Sequence, residues 1–344
     1  MPGLTNIQSL FPNASPARVP VSVGRPLCTI LIDAEEDFDW DQPVNGISYN
    51  VDCMRHLADL QTVAGAYGAV PTYLLTYPVM QDAGIVAALR ARIARGQCQV
   101  GIQLHPWVTP PFTESADIRN SFATNLGPEL EEKKLVELIR LFRACFGSDP
   151  AVYRAGRYGV GPHTPALLEK HGLTVDTSLA PCTSSAEEQG PDFSGDDYQT
   201  FWFGGSRRLL EVPLCRGIVG WGGDPAARVY RRLATSQSGG VLSSVLPGLL
   251  ARSRCAERIT LSPEGNDVSA AARLVRDLTR RGEGVLALSL HSSSLSVGHN
   301  PYVKTREDLH MLFDRLSAIL DMLAERFDAR FVAAADLPGL LADG

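Results

Sequence analysis

Five acids stand within seven residues at Asp33-Ala34-Glu35-Glu36-Asp37-Phe38-Asp39, directly after the apolar run 27–32. Charge at the end of a buried strand is costly unless it is used. Side chains alternate along a strand, so Asp33 and Glu35 face one way and Glu36 the other. Two carboxylates on one face can divide labour, one holding a metal ion and one taking a proton from water. A solvated acidic loop is the bland alternative.

Other polar groups fall at the ends of apolar runs. Gln103 and His105 share a face in Gln103-Leu104-His105, and a neutral imidazole is a metal ligand as well as a structural hydrogen-bonder. Arg154 ends the run 151–154 and could orient a carboxylate or form a structural ion pair. Arg157 and Tyr158 sit in a Gly-flanked loop and are groove-lining candidates, as is Trp107 in the Pro-rich turn 106–111. Late in the chain His291 follows Leu288-Ser289-Leu290; it suits general acid work, and Leu290 could form an apolar wall. No serine lies in G-x-S-x-G and no cysteine has nucleophile context, so covalent catalysis is not indicated.

The elements that must carry these groups alternate. Strands are expected at 27–33, 70–77, 98–105, 151–154, 174–178, 209–214, 258–261, 285–291 and 330–333. Helices are expected at 51–67, 85–95, 129–146, 164–171, 270–281 and 306–327, the last opening on a capping-box pattern at Thr305 and Asp308. Strand–helix alternation implies a mainly parallel sheet covered by helices. Seven or eight units favour a closed β/α barrel over an open doubly wound sheet, with strand C-termini surrounding the ligand. There is no G-x-G-x-x-G after the first strand and no P-loop. The segment 184–197 reads as a surface loop. The stretch 216–254 interrupts the rhythm as an insertion, either a lid or a packing excursion.

At 344 residues, 44% apolar and 20% charged, the chain buries a real core. The net charge of −6 argues against a nucleic-acid partner or general membrane adhesion, although a local basic surface stays open. The seven cysteines are scattered without a C-x-x-C pair, as in a reducing compartment. Residues 1–24 lack a signal-peptide pattern and read as a flexible arm before one catalytic unit over 25–344. No run approaches the roughly 18 apolar residues of a membrane span. A cytoplasmic protein is expected.

The order of motifs resembles the polysaccharide deacetylase family, also called NodB-homology or carbohydrate esterase 4, and especially its WalW-like members associated with lipopolysaccharide biosynthesis. IDAEEDFDW, PTYLLTYPV, QLHPWVTPP, VYRAGRYG, VDTSLAP, SPEGN and LSLHSSSL carry the likeness from about Leu27 to Leu341. The resemblance implies a distorted β/α barrel and metal-dependent removal of acetyl groups from N- or O-acetylated sugars. It places Asp33 as the base, Arg154 as the residue that orients it, and His291 as the general acid, with Leu290 beside it in the acetyl pocket. Glu35, or Glu36 under a one-residue shift, takes the acidic ligand position, and His105 falls in the histidine motif. Asp176 and Ser178 lie in a further motif near the site. The implied ion is Zn, Co, Mn or Ni. Where WalW-like relatives place the first of two histidines two apart, this chain has Gln103. A neutral carboxamide is a weak ligand. The ion is then held with more water, or His299 completes the set, or the chemistry is metal-independent, as in allantoinase-like relatives. A carbohydrate-binding pseudoenzyme is the remaining reading.

Overall fold

In the computed structural model the described residues are 10–20, 24–37, 50–205, 209–234 and 241–343. Strand β2 (Leu27–Ala34) is buried along its whole length. This is why its sequence is a nearly continuous apolar run rather than an alternating one. Around it lie β3 (Thr72–Leu75), β4 (Gln99–Leu104), β5 (Val152–Ala155) and β6 (Val175–Asp176), each parallel to the last. On the other side β11 (Val285–His291) pairs β2 in parallel over seven residues.

The sheet continues through β8 (Leu209–Glu211), β7 (Phe201–Phe203), β1 (Ser15–Arg18) and β13 (Ala342–Asp343), the last joins being antiparallel. The short β12 (Arg330–Phe331) pairs the start of β2. Among the described residues β11 and β13 end the hydrogen-bonded path without pairing each other, so the sheet curls into a half-barrel. The expected distorted barrel is the fold found, in a single domain.

Helix Pro128–Phe146 begins with proline in its first turn and stops at Gly147, whose φ of 73° is the left-handed C-cap. Asp82 and Asp267 cap Ala83–Ile93 and Val268–Arg280, and Thr305 with Asp308 forms the expected capping box before Arg306–Asp321. The expected helix at 51–67 splits into a tight turn, Asp52–His56, and a helix, Leu57–Ala66. The strand expected over 70–77 stops at Leu75, and Tyr77 opens a short helix with Pro78 in its first turn.

Two expectations are corrected. Residues 10–20 are not a loose arm: Phe11 is fully buried, packs edge-on against Phe201 and Phe203, and leads into β1. The strand expected at 258–261, now β10 (Glu257–Thr260), does not join the barrel. It pairs antiparallel with β9 (Arg216–Val219) in a sheet of its own. The stretch between them is an excursion built from two helices, Gly223–Ala234 and Val241–Arg252.

Candidate active site

Parallel register fixes the site. His291 lies beside Asp33 across β11 and β2, and Gln103 beside Arg154 across β4 and β5. These are C-terminal strand ends, where polar groups of such sheets converge. Gly101 makes the approach possible: a Cβ there would lie 2.6 Å from the Val152 carbonyl and 3.0 Å from Leu74.

Asp33 is buried and held from one side by the Arg154 guanidinium, whose Nη1 donates to Oδ1. Arg154 is fixed in turn: its Nε donates to the carbonyl and hydroxyl of Thr177, and its guanidinium lies 5.3 Å from the Tyr158 ring centre. The other oxygen, Oδ2, is 3.6 Å from His291 Nε2. His291 Nδ1 is 2.9 Å from Glu264 Oε2, and the His291 backbone N–H donates to Glu264 Oε1 at 2.8 Å. Ser294 donates to the same carboxylate. Burial works against a charged His291, but the Glu264 carboxylate and its hydrogen bond, joined by Glu35 and Asp33, outweigh it and push the imidazole up to about 10. His291 therefore carries a proton at neutral pH. A carboxylate anchored by arginine faces a protonated imidazole, a pairing that acid–base chemistry can use.

The second half of the site is centred on His105. Its Nδ1 is 2.8 Å from Glu36 Oε1, and its ring stacks on Trp107 with centres 4.1 Å apart. Its Nε2 is 3.6 Å from Glu35 Oε2 and 3.1 Å from Gln103 Nε2, which also donates to Glu35 Oε2 at 3.4 Å. Burial drives Glu35 up to about 8 against the pull of His291 and His105. For Glu36 burial pushes the same way, yet the His105 charge and hydrogen bond overcome it and hold that carboxylate below its ordinary value. Glu36 on one ring nitrogen orients the imidazole and turns the other, Nε2, toward Glu35 and Gln103.

Asp33, Glu35, Gln103, His105, Arg154 and His291 thus come together as expected, with Trp107 and Tyr158 against them. Glu36 does not face away. The strand ends at Ala34, so alternation no longer governs residue 36, and the turn brings both glutamates to His105. Leu290 does not line the site: alternation continues through β11, and Leu290 pairs Ile32 on the opposite face, inside the core. Arg157 turns outward to Glu188 and Ser121, with its guanidinium over Phe122. His299 sits 3.0 Å from Asp37.

Three features escape sequence reasoning. Glu264 comes from the loop after β10; its signals are an acid in the Pro-Glu-Gly turn that follows an apolar strand and its place in SPEGN, to which the resemblance gave no role. Ser292 accepts from the Glu35 backbone N–H at 3.2 Å. Beneath Arg154, Asp176, which the resemblance places near the site, is met by Glu211, which it does not; the two face each other in register across β6 and β8, both fully buried. Burial, and for Glu211 also the Asp176 charge, raises both: Asp176 to about 6 and Glu211 well above the carboxylate range. Ser178 donates to Asp176 and accepts from the Ala155 backbone, tying this pair to the strand that bears Arg154.

Several solved structures share this architecture. A protein described as a polysaccharide deacetylase from Mycobacterium smegmatis is similar over 95% of this chain and 94% of its own, with 15% identity and a TM-score of 0.50. A protein described as a glycoside hydrolase/deacetylase from Parabacteroides distasonis is similar over 92% of this chain and 71% of its own, with 13% identity and a TM-score of 0.57. PuuE allantoinase is similar over 91% and 89%, with 13% identity and a TM-score of 0.50. The shared fold is that of the polysaccharide deacetylases. Likeness at this identity speaks for the deacetylase fold, not for a substrate. No family model matches the chain, and no curated protein matches it.

Proposed function

We propose that the chain is a hydrolase that removes an acetyl group from an N- or O-acetylated sugar, acting on a glycan precursor of the cell envelope. It is read as a member of the polysaccharide deacetylase family in the WalW-like branch, with one catalytic unit over 25–344. The supporting observation is Asp33, gripped by Arg154 on one oxygen and facing the His291–Glu264 pair with the other.

In this reading Asp33 Oδ2 takes a proton from water, since Oδ1 is engaged by Arg154. The oxygen attacks the acetyl carbon. His291 Nε2 then gives its proton to the leaving nitrogen or oxygen as the bond to the acetyl carbon breaks, and acetate and the free sugar amine or hydroxyl result. Trp107 and Tyr158 form the aromatic walls against which a sugar ring rests.

A divalent ion, Zn, Co, Mn or Ni, belongs to this reading. Glu35 Oε2, His105 Nε2 and the Gln103 carboxamide stand 3.1, 3.4 and 3.6 Å apart. Donors sharing one small cation tetrahedrally are separated by about 3.4 Å. Glu35 Oε1 and Gln103 Oε1 are buried without a hydrogen-bond partner, and a half-turn of the Gln103 amide exchanges its oxygen and nitrogen. The three residues fit an ion, with water completing the shell. Among the described residues no three His, Cys, Asp or Glu side chains are placed to hold a metal ion together, so the set closes only through Gln103. When bound, the ion would acidify water and stabilise charge on the acetyl oxygen.

A second reading has its own observation. As oriented here, the Gln103 amide nitrogen already bridges Glu35 and His105. That arrangement suits metal-independent hydrolysis of another C–N bond, the fold being shared with an allantoinase.

The cytoplasm is the proposed compartment, on the strength of seven free cysteines, five of them buried. Among the described residues no helix is long and apolar enough to cross a membrane. Metal analysis with acetate release from a panel of acetylated sugars tests the proposal. Stoichiometric metal and chelator-sensitive turnover support the first reading, and chelator-insensitive turnover the second. Sugar binding without turnover under any added metal would leave a pseudoenzyme.

A further inference from the structure

Little of the excursion between β9 and β10 is buried among its described residues. Helix Gly223–Ala234 has no buried side chain at all. Ala226, Ala227 and Tyr230, with Leu250 of the returning helix, pack on a cluster of only Cys182, Ile218 and Ala256. So small a cluster leaves apolar residues over. Trp221 is 76% exposed, and Val229, Val245 and Leu249 are each about half exposed. These are four of the eleven large apolar residues that stand exposed among the described ones. The Trp221 indole N–H donates to the Ser253 carbonyl at 2.9 Å, which ties the base of the exposed ring to the end of the second helix.

The charge of this segment opposes that of the chain. Between Trp221 and Ala256 there are five arginines and one acid, in a protein of net charge −6. The acid, Asp224, lies 3.6 Å from Arg281, and Arg231 is paired with Asp197. Among the described residues no ion pair engages Arg228, Arg232, Arg252 or Arg254, and all four are exposed. Arg228 and Arg232 are one turn apart, so they share the outer side of their helix, half a turn from Ala226 and Tyr230.

We propose that this hairpin docks the protein on an anionic lipid bilayer. An exposed indole, aliphatic side chains and unpaired arginines on short helices are what an interfacial element combines. The apolar groups enter the headgroup boundary while the arginines meet lipid phosphates. A soluble polyanion would use the arginines but give Trp221 and Leu249 nothing to bury against. The hairpin is rooted in the β9–β10 pair. Its first strand residue, Arg216, bonds Thr183 and Thr260 and lies within electrostatic reach of Tyr158. If the proposed deacetylation holds, which this last step requires, the substrate class is a glycan carried on a membrane lipid.

The test is flotation of the full chain with vesicles of phosphatidylcholine alone and of phosphatidylcholine mixed with phosphatidylglycerol. Binding is expected to the mixed vesicles only and to weaken with salt. It should fall on the order of tenfold in R228S/R232S and likewise in W221S/L249S, with far-UV circular dichroism unchanged. Absence of flotation, equal flotation with neutral vesicles, or wild-type binding by both variants would overturn the proposal. A concentration-dependent dimer that both variants dissolve, without vesicle binding, would instead make this face an interface between copies. Flotation without turnover on any acetylated sugar removes the deacetylase reading and leaves the docking surface standing; turnover without flotation does the reverse.

Discussion

His291 carries the clearest residue-scale consequence. Its proton is held by Glu264, so the alkaline limb of kcat/KM should lie near the raised imidazole value of about 10. Glu264→Gln removes the charge and keeps the shape. The limb should then move down toward the ordinary imidazole range, whereas a merely structural Glu264 would leave its position unchanged. Gln103 makes the second. Gln103→His should tighten binding of Zn or Co by at least about tenfold, the scale of a ligand or outer-shell change, as read by calorimetry on the purified protein. Unchanged affinity would mean that the position does not face the ion. At this scale most of the site was legible. Asp33, Glu35, Gln103, His105, Arg154 and His291 sit at strand ends, where alternation and the strand-end rule act locally. Glu36 and Leu290 went wrong for one reason seen from two sides. Alternation had ended before residue 36, but it still held at residue 290. Glu264 lies 27 residues from His291 in sequence, and only the folded chain brings them together.

At the scale of elements, the close approach of β4 and β5 positions the His105 ring. Gly156 follows β5, and a Cβ there would strike the ring of His105 and lie 2.6 Å from the Leu104 carbonyl. Gly156→Ala should therefore displace the ring from Trp107 and cost activity out of proportion to stability. Asp267→Ala provides the contrast. It removes the cap that accepts from Ala270 N–H at 2.6 Å, a contact outside the acid–base set. It should lower the unfolding free energy by about 1 kcal/mol, measured by urea titration, with turnover intact. The parallel run from β2 to β6 was readable because each strand is short, apolar and followed by a helical pattern. The pairing of β10 with β9 was not, since the partner of an apolar run is a long-range property. Nor was β1, four residues with proline in a polar segment, held in place by partners almost two hundred and more than three hundred residues away.

At the scale of the whole molecule, the site holds opposed charges within a buried wall, and stability should follow pH accordingly. The folded His291 value lies above its ordinary 6.5, so its contribution is full below about 6.5 and is lost as pH rises through about 10. Glu264 is held below its ordinary 4.5, so its share is present above that value and fades as pH falls through the lower folded one. Urea denaturation across the alkaline range should show a decline that His291→Asn flattens. The central claim concerns the reaction itself. Acetate release should be measured for the wild-type chain and Asp33→Asn on the acetylated sugar that the panel selects. A loss of two to four orders of magnitude, on the scale of a general base, with the melting transition retained, is the predicted result. Turnover by Asp33→Asn within a few-fold of wild type would contradict the account.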